Sequence, residues 1–565
     1  MKSFNIKIGG AAGEGIKSSG LILARSLARL GYSVFGYSEY PSLIRGGHNT
    51  YQIYAGVDEV FSQVKKVDIL IALNQETIIL HQEELTKDSI TLYDPGEFEL
   101  PEGKLIGKYV AVAFGKLAES AGGKAIMANM VSLAATMAIL GLPIDTLKKA
   151  IAKIFARKPK EITDLNHKCA EAGEKFIKEN CQEFIKKADL PKKKKASILI
   201  TGNEAIALGA IAGGMRFFAS YPMTPATSII HYLAGVAKKT GIFVKHTEDE
   251  ISGINMAIGA SHAGARAMAA TSGGGLCLMA EGLGLAGISE TPLVIVNSMR
   301  PGPGAGLPTW SGQGDLKFVL TIGNDEFPRI VLAPGDADEA FTLTKRAMEL
   351  AEKYQTPVII LADKNLSEGD FCLPPYSAEH INKRYGFAAK LNNDPEGYFK
   401  RYEITKNGVS LRPKLGQPGG AHVCNSYEHD EFGFATESAE MRKKMADKRQ
   451  RKMKLIESEI PVQPIFGDKK ARIGLISWGS NKGPILEAMK ELDDVKFMHL
   501  NWLWPFPARQ VKEFTDSVKR IVCLECNATG QLAGLIKEQV GIEVERVLKY
   551  DGRGFWPGEI LERVR

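Results

Sequence analysis

The sequence lacks the features that mark secreted, membrane-spanning and metal-cluster proteins. Its 7 cysteines are spread over 565 residues. The single CxxC pair, Cys523 and Cys526, has no second pair of ligands beside it, which predicts core cysteines and no iron–sulfur cluster in this chain. Lys2 is followed by an alternating strand pattern where a targeting peptide needs an apolar run, so we expect a cytoplasmic protein. The most apolar segment, 125–142, contains Asn129 and is short for a bilayer span, which predicts a buried helix.

Neither charge nor composition favours nucleic-acid or membrane binding. The net charge of +7 is small for a chain of this length, and much of it comes from two runs, PKKKKA (191–196) and RKKMADKRQRKMK (442–454). Such runs most often form solvated linkers or helix faces. Since 44% of the residues are hydrophobic and 24% are charged, the composition is that of an ordinary globular protein.

The glycine-rich stretch GGAAGEGIKSSG, residues 9–20, lacks both of the nucleotide-binding patterns that it resembles. A GxxxxGK[ST] loop needs lysine directly after its last glycine, but Ile16 stands there. A GxGxxG turn would need a third glycine where the chain has Ser18. What remains is a strand at 4–8, a glycine turn and a helix at 15–30, and this order predicts the start of a βαβ unit.

Helical and strand-like segments alternate along the chain, which predicts an α/β fold with three domains built on parallel sheets. The length also argues for several cores. Composition indicates a first domain at 1–187, a lysine-rich linker at 188–197, a second domain at 198–376, an irregular connector at 377–465 and a third domain at 466–565. The strands expected in the second domain are FFASYP, RAMAATSGG, PLVIVNS, RIVLAP and PVIILAD.

Polar residues follow several strands of the second domain, where doubly wound sheets bind their ligands. The segments are ASYPMTPATS (219–228), HTEDEISGINMAIGASHAGAR (246–266), TSGGG (271–275) and VNSMRPGPGAGLPT (296–309). Two prolines stiffen the loop of Thr224. Glu250 leads into a helix of small residues and has two interpretations. It is either a buried carboxylate that shares a proton with a heteroaromatic ring, or a helix-start carboxylate that complements the dipole, as Glu248 or Asp249 would equally.

These segments together resemble one protein family. The chain is similar to the α subunit of 2-oxoacid:ferredoxin oxidoreductases on the motifs YPMTPAT, EDEISGINMAIGASHAGARAMAATSGGG, NSMRPGPGAGLPT and EHDE (428–431). The form it resembles has a γ domain fused ahead of α, as in 2-oxoglutarate:ferredoxin oxidoreductase, and the resemblance covers nearly the whole chain. It implies a γ-type domain first, a thiamine diphosphate pyrimidine-binding-type domain second and a transketolase-C-like domain last.

The resemblance implies a reaction, a set of cofactors and a partner. The reaction is the thiamine diphosphate-dependent, coenzyme A (CoA)-dependent oxidative decarboxylation of a 2-oxoacid, expected to be 2-oxoglutarate, to acyl-CoA and CO2. Electrons pass to ferredoxin, and the same reaction can run in reverse. The resemblance also implies a β subunit that shares the thiamine diphosphate and carries Mg2+ and a [4Fe-4S] cluster. This chain would then hold no metal and act only in an αβ or (αβ)2 assembly.

The resemblance also assigns roles to single residues. Glu250 matches the glutamate that hydrogen-bonds the aminopyrimidine ring of the cofactor, and Thr224 matches the motif threonine beside cofactor and substrate. Arg300 matches the arginine that receives the substrate carboxylate, for which a planar bidentate donor is well suited. From the first domain, Arg45 and His48 are expected to reach the substrate or CoA. The other residues expected to bind the cofactor are Tyr221, Pro222, Thr271, Ser272 and Gly273.

The chain departs from the family pattern near the expected substrate. Met223 and Ala226 stand where isoleucine and serine are usual, and RPGPGAGLPTWSGQGDL (300–316) replaces RGGPSTGLPTKTEQSDL. The second change lies in a loop that should approach the substrate or the partner, so it bears on which oxoacid is used. A 2-oxoglutarate enzyme needs a cation for the distal carboxylate, and the candidates are Lys245, His246 and Lys317.

Two other functions remain open. A self-contained thiamine decarboxylase holds magnesium and diphosphate with a GDG...NN pattern, which GDA at 335–337 followed by Asn365 approximates. Ala337 replaces the last glycine and Lys364 replaces the first asparagine, and a lysine is a poor neighbour for a divalent cation. The other alternative is a non-catalytic scaffold homologue of the α chain, against which the retained site motifs argue.

Overall fold

The computed structural model describes residues 1–43, 46–192, 197–376, 379–388, 391 and 397–565. Within these ranges the chain folds into three β-sheets flanked by helices, which confirms the predicted α/β class. Clusters of buried apolar side chains lie under the first sheet, on one face of the second sheet, and between the other face of the second sheet and the third. A smaller cluster lies within the third part of the chain.

The first part of the chain forms a mixed sheet. Its strands are β1 (Ser3–Ala11), β2 (Ser33–Glu39), β3 (His48–Gly56), β4 (Val67–Ala72), β5 (Leu85–Tyr93) and β6 (Lys108–Ala111). Its helices are α1 (Ile16–Leu30), α2 (Gln75–Leu80), α3 (Phe114–Ser120), α4 (Ala128–Ile139), α5 (Asp145–Ile154) and α6 (Lys160–Asn180). Between β1 and α1, Gly13 and Gly15 have φ of 98° and 77°, a conformation that favours glycine. The predicted strand, glycine turn and helix are confirmed.

The second part of the chain supplies most of the strands of a parallel sheet and two strands, β7 and β14, of the first sheet. Its strands are β7 (Ile198–Thr201), β8 (Phe217–Ser220), β9 (Phe243–His246), β10 (Ala267–Thr271), β11 (Leu293–Met299), β12 (Ile330–Leu332), β13 (Pro357–Asp363) and β14 (Asp370–Leu373). Its helices are α7 (Gly202–Ala212), α8 (Thr227–Thr240), α9 (Glu250–His262), α10 (Gly274–Leu278), α11 (Ala280–Ile288), α12 (Leu316–Thr321), α13 (Ala337–Tyr354) and α14 (Lys364–Glu368). The five strands expected here are confirmed as β8, β10, β11, β12 and β13.

The last part of the chain returns to alternating strands and helices. Its strands are β15 (Ile465–Gly467), β16 (Ile473–Trp478), β17 (Val495–Leu500), β18 (Trp502–Trp504), β19 (Arg520–Glu525) and β20 (Glu545–Leu548). Its helices are α15 (Ala439–Glu457), α16 (Lys482–Ala488), α17 (Ala508–Asp516), α18 (Gln531–Val540) and α19 (Pro557–Val564). Before α15, the described connector residues form only two isolated bridges, Phe387 with Arg412 and His429 with Ala435.

The strand orders show that strands from one part of the chain complete the sheet of another part. The first sheet has the order β6-β5-β4-β1-β3-β2-β14-β7, the second β18-β12-β13-β11-β10-β8-β9 and the third β15-β17-β16-β19-β20. Both β7 and β14 therefore complete the first sheet, although they lie beyond residue 187. Asp370 of β14 pairs with Gly36 of β2, and its carboxylate accepts a 2.5 Å hydrogen bond from the Tyr51 hydroxyl. This pairing covers an edge strand that would otherwise expose its backbone.

Helix α15 corrects the interpretation of the basic run at 442–454 as a solvated face. Lys448 and Lys452 are 0% and 1% exposed, and both ammonium groups pair with the buried carboxylate of Glu290. These charged groups can be buried in an apolar interior only because the ammonium groups pair with the carboxylate there. The helix therefore anchors the connector to the second domain.

The remaining predictions about burial concern α4 and the cysteines. Among the described residues, no single helix is long and apolar enough to cross a membrane. Two segments, Phe114–Ser120 and Ala125–Ile139, reach the required length and apolarity when taken together, but the chain bends by 111° between them. Helix α4 is buried along most of its length. Cys523 and Cys526 are both buried, and burial raises the pKa of each thiol, as expected of core cysteines.

Candidate active site

Four neighbouring strands of the second sheet end at one edge and carry the predicted site residues. They run parallel in the order β11, β10, β8, β9, so their carboxyl ends lie side by side, where α/β sheets bind ligands. Thr224 follows β8, Glu250 follows β9, Thr271 ends β10 and Arg300 follows β11. The fold therefore brings together residues that are distant in sequence.

Glu250 is turned into the protein at the first residue of α9. The helix-capping role belongs to Asp249, whose carboxylate accepts a 2.7 Å hydrogen bond from the backbone N–H of Ser252. Glu250 itself is 4% exposed, and its Oε1 is buried without any hydrogen-bond partner. A buried carboxylate oxygen without a partner is costly, so this oxygen is suited to a ligand that brings its own donor.

A glycine loop after β10 closes around this carboxylate. A Cβ added to Gly275 would lie 2.2 Å from Thr271 Oγ1 and 2.6 Å from Glu250 Oε1, so only glycine fits at this position. The loop is held by Asn297, whose Oδ1 accepts a 3.1 Å hydrogen bond from the Gly273 backbone N–H. The Ser272 hydroxyl is buried and unpartnered. Gly275 and Asn297 were not predicted as site residues, although a buried amide within an apolar strand is a sequence signal for such a role.

Arg300 joins the loop of Thr224 to the same edge. Its Nη1 donates a 2.9 Å hydrogen bond to the Thr224 carbonyl oxygen, while its Nε is buried and has no acceptor. Burial lowers the pKa of Arg300 and the charge of Glu250 raises it, so the two groups share one electrostatic environment. The guanidinium thus keeps donor capacity for an anionic ligand.

The loop that contains Thr224 also places the other predicted residues of the YPMTPAT motif. Tyr221 is 39% exposed, Pro222 is half-buried, and the sulfur of Met223 accepts from the Thr271 hydroxyl at 3.8 Å. The methionine therefore fills space against the end of β10. The loop borders the site and leaves the Tyr221 ring accessible.

The two residues expected from the first domain have different outcomes. Arg45 lies outside the described residues. His48 begins β3, and its Nε2 lies 2.9 Å from Nε2 of His81, so the structure places it in a hydrogen-bonded pair that the sequence did not indicate.

The three cations considered for a distal carboxylate lie in two places. Lys245 and His246 are exposed on the edge strand β9, and the His246 ring lies 6.3 Å from the ring of Tyr221. Lys317 lies beside Gly534 of α18, towards the third sheet. A further cation, Arg553, lies over the ring of Trp310, a residue of the loop 300–316, at 3.6 Å from the centroid. No sequence signal links these two positions.

The geometry does not fit a self-contained decarboxylase. Asp336 caps α13 through a 2.9 Å bond from the Glu339 N–H and pairs with Lys482 at 2.5 Å. The Lys364 ammonium donates to the Tyr37 hydroxyl at 3.0 Å and to the Ser38 carbonyl at 2.8 Å. These groups join domains instead of facing a shared metal site.

The site does fit the aminopyrimidine part of thiamine diphosphate. The unpartnered Glu250 oxygen offers an acceptor for a ring N–H, and the glycine loop allows a flat group to approach the backbone closely. Buried unpartnered polar atoms at Glu250, Ser272 and Arg300 cluster at one edge, which is the pattern of a site built for a ligand.

Family models match all three parts of the chain. Residues 5–176 match "Pyruvate ferredoxin/flavodoxin oxidoreductase". Residues 208–448, which include the site, match "Pyruvate flavodoxin/ferredoxin oxidoreductase, thiamine diP-bdg". Residues 471–560 match "Pyruvate:ferredoxin oxidoreductase core domain II". The fold and site thus define an oxidoreductase with a thiamine diphosphate-binding domain.

Individual relatives narrow this class. The α subunit of 2-oxoacid:ferredoxin oxidoreductase 2 of Aeropyrum pernix is 33% identical and covers 100% of this chain and 98% of its own length. The 2-oxoglutarate oxidoreductase subunit KorA of Mycobacterium tuberculosis is 29% identical, covering 99% and 91%. The structure of 2-oxoglutarate:ferredoxin oxidoreductase from Magnetococcus marinus, with 2-oxoglutarate, coenzyme A and succinyl-CoA bound, is 32% identical with a TM-score of 0.92, covering 100% and 99%. The chain belongs to the 2-oxoacid:ferredoxin oxidoreductase family, as an α subunit.

Proposed function

We propose that this chain, assembled with a β subunit, catalyses the CoA-dependent oxidative decarboxylation of 2-oxoglutarate, or the reverse reaction. The observation that carries the proposal is the buried, unpartnered carboxylate oxygen of Glu250 at the strand edge that also holds Arg300. The relatives are named as α subunits, which makes an assembly of several subunits the working form. The β subunit would carry Mg2+ and a [4Fe-4S] cluster and pass electrons to ferredoxin. The assembly would be αβ or (αβ)2, and a cytoplasmic location stays a prediction.

Glu250 is the residue that would act on the cofactor. Thiamine diphosphate, when bound, supplies the electron sink that allows the bond between the oxo carbon and the carboxyl carbon to break. Glu250 Oε1 accepts a ring N–H, and in its buried position the hydrogen bond is strong because little water competes. The loop Thr271–Ser272–Gly273 lets the ring reach this oxygen, and Tyr221 and Pro222 border it.

Arg300 and Thr224 would hold the oxoacid. The free Nε–H of Arg300 and its remaining donors suit a carboxylate, and its bond to the Thr224 carbonyl fixes the guanidinium in place. Thr224 is half-buried, and its hydroxyl would donate a hydrogen bond to the oxo oxygen. The distal carboxylate would lie towards Lys245 or His246, since Lys317 lies towards the third sheet.

The test is anaerobic, CoA-dependent reduction of a viologen dye by the chain alone and by its complex with the β subunit, with a panel of oxoacids. We expect activity only from the complex, with 2-oxoglutarate preferred. Glu250→Gln should lower turnover at least 100-fold, the scale of a lost general acid–base group, while the complex still assembles. Activity of the isolated chain would restore the decarboxylase, and an unaffected Glu250→Gln complex would favour the scaffold.

A further inference from the structure

Gln313 is buried at the junction of the second and third domains. It is 1% exposed, although glutamine is mostly found at protein surfaces. Its Nε2 donates to Asp363 Oδ2 at 3.1 Å and to the Trp478 carbonyl oxygen at 3.2 Å. Its Oε1 accepts from Asn481 Nδ2 at 2.8 Å and from the Cys526 backbone N–H at 3.2 Å. Both amide donors and both carbonyl lone pairs are therefore used, which holds the side chain in one position.

Contacts on either side of this glutamine tie its loop, residues 300–316, to the third domain. The Ser311 backbone N–H donates to the Gly552 carbonyl oxygen at 2.9 Å. The Gly314 carbonyl oxygen accepts a 2.7 Å hydrogen bond from Gln531 Nε2. The loop begins at the arginine proposed to hold the oxoacid, and the third domain fastens its other end.

The same loop also holds the glycine loop beside Glu250. Asp315, two residues after Gln313, accepts a 2.9 Å hydrogen bond from Asn297 Nδ2. Asn297 is 0% exposed, and its Oδ1 accepts the 3.1 Å hydrogen bond from the Gly273 backbone N–H. Because one amide side chain donates to one loop and accepts from the other, a shift of Asp315 is transmitted to the glycine loop.

The network around Gln313 is costly to leave incomplete. Asp363 is 1% exposed, and its Oδ2 accepts both the Gln313 amide and the Ser480 hydroxyl, the latter at 2.8 Å. Burial raises the pKa of Asp363, and these hydrogen bonds oppose the shift. A buried polar network whose members are all hydrogen-bonded favours one geometry, whereas a partly bonded one is destabilised. The third domain therefore specifies where the end of the loop lies.

We propose that Gln313 is a positioning residue through which the third domain sets both halves of the candidate active site, an inference that rests on the proposed function. One half is the loop of Arg300, which would receive the oxoacid carboxylate. The other is the glycine loop around Glu250, to which Asp315 and Asn297 extend the connection. Gln313 itself contacts neither cofactor nor oxoacid in this role. Its loss weakens the binding of both from within a domain junction.

Gln313→Met tests this role in the complex of the chain with the β subunit. Methionine has a similar length but makes none of the four side-chain hydrogen bonds. Calorimetry measures the affinity for thiamine diphosphate, and steady-state kinetics give KM and kcat for 2-oxoglutarate. We expect the thiamine diphosphate Kd to rise about tenfold and kcat/KM to fall about 100-fold, mostly through KM, since a misplacement of about 1 Å can cost this much.

Gln463→Met is the matched control. Gln463 is also 1% exposed, and its Oε1 accepts from the backbone N–H groups of Asn501 and Trp502 at 3.1 and 3.2 Å. These partners lie outside loop 300–316. The variant loses buried hydrogen bonds as Gln313→Met does, so it shows the effect of lower stability alone. We expect it to keep the wild-type KM and cofactor affinity.

A second measurement needs no turnover. Hydrogen exchange followed by mass spectrometry reports the order of both loops in the complex without cofactor. We expect Gln313→Met to raise exchange at 300–312 and at 272–276, and Asp315→Leu to raise it only at 272–276. Asp315→Leu should also raise the thiamine diphosphate Kd and leave the oxoacid KM unchanged. Asp315 is half-buried and lies outside the network of Gln313, so this variant reports on the connection even where Gln313→Met does not assemble.

The outcomes distinguish the positioning role from the proposed function. Wild-type cofactor affinity and KM in Gln313→Met overturn the role, and so do equal losses in Gln313→Met and Gln463→Met. Wild-type thiamine diphosphate affinity in Asp315→Leu overturns the connection to Glu250, whether or not Gln313→Met assembles. A wild-type complex without oxoacid-dependent dye reduction overturns the proposed function alone, because hydrogen exchange and cofactor affinity still report on Gln313.

Discussion

Gly275 is the residue whose replacement tests the site most locally. In Gly275→Ala the new methyl group would meet Thr271 Oγ1 at 2.2 Å and Glu250 Oε1 at 2.6 Å. The Glu250 carboxylate must then move from its position. We expect thiamine diphosphate affinity to fall at least tenfold and turnover to fall with it, because a displaced acceptor no longer matches the cofactor ring. Titration of the complex with thiamine diphosphate, followed by calorimetry, measures the loss.

Gly259→Ala is the matched control for this substitution. Gly259 lies in α9, the helix that Glu250 begins, and an added Cβ meets nothing within 4 Å. This variant should therefore keep wild-type cofactor affinity. Since alanine stabilises a helix by about 0.5–1 kcal/mol relative to glycine, its free energy of unfolding should be slightly higher than that of the wild type. Equal cofactor affinity in Gly275→Ala and Gly259→Ala would contradict the site.

Arg300→Lys tests the planar donor. Lysine keeps the charge but cannot hold the Thr224 carbonyl and a carboxylate with one rigid group. We expect kcat/KM for the oxoacid to fall about 10- to 100-fold, because a hydrogen bond to a charged group contributes about 1.5–3 kcal/mol of binding free energy. Steady-state kinetics with the complex measure this, and an unchanged KM together with an unchanged kcat would remove Arg300 from the site.

The choice between the two interpretations of Glu250 shows what the sequence can decide at the residue scale. Three consecutive acidic residues, Glu248 to Glu250, stand at the start of α9, and spacing alone gives each of them access to the helix dipole. The structure separates them because Asp249 takes the cap and Glu250 is then directed inward. Motif similarity singled out Glu250, whose role stays a prediction. Asn297 has a local signal, a polar residue within an apolar strand, whereas Gly275 depends on contacts that no local pattern encodes.

Elements were predictable where the pattern of apolar residues was continuous. Strands β8, β10, β11, β12 and β13 are short apolar runs bounded by glycine, proline or polar residues, and all five were predicted. Helix α15 was missed because a run of charged residues usually indicates a solvated segment. In the structure, however, Lys448 and Lys452 are buried against Glu290. The pairing of β14 with β2 could not be predicted either, since it joins segments more than 300 residues apart.

Glu290→Gln tests whether α15 is held by its buried ion cluster. The substitution leaves the ammonium groups of Lys448 and Lys452 without a counter-charge, so we expect it to lower the free energy of unfolding at pH 7 by about 3–5 kcal/mol. Urea unfolding measures this. The control is Glu440→Gln on the same helix, since Glu440 pairs with Lys444 in solvent and exposed pairs contribute little.

The same cluster predicts how the difference in the free energy of unfolding between wild type and Glu290→Gln depends on pH. Burial raises the pKa of Glu290, but Lys448, Lys452 and Arg401 outweigh it and hold it well below its usual value. A lowered folded-state pKa adds stability above the unfolded-state pKa of about 4.3, and this stability is lost as the pH falls through the folded-state value. The difference between wild type and Glu290→Gln should therefore be constant from pH 7 to about 5 and shrink below that. A difference that grows on acidification would contradict the assignment.

At the scale of the whole molecule, the domains are joined by polar contacts as well as by shared strands. Lys482 of α16 pairs with Asp336 and Glu339 at the start of α13, and His499 also faces Glu339 at 2.9 Å. Lys364 joins the second domain to β2. The site edge of the second sheet is therefore supported from both sides, which holds the loops of the candidate site in place.

The shared first sheet predicts that the chain can be divided without losing its assembly. We expect residues 1–190 and 197–565, produced together as two chains, to co-purify through a tag on either one, because β14 and β7 extend the sheet beside β2 and Asp370 pairs with Gly36. Asp370→Pro is the matched disruption, since it removes a ladder donor and the partner of Tyr51. This variant should lose most of the co-purified 1–190 chain. A 1–190 chain that elutes alone as a stable monomer beside an intact 197–565 chain would show that the first domain does not need the strands it borrows.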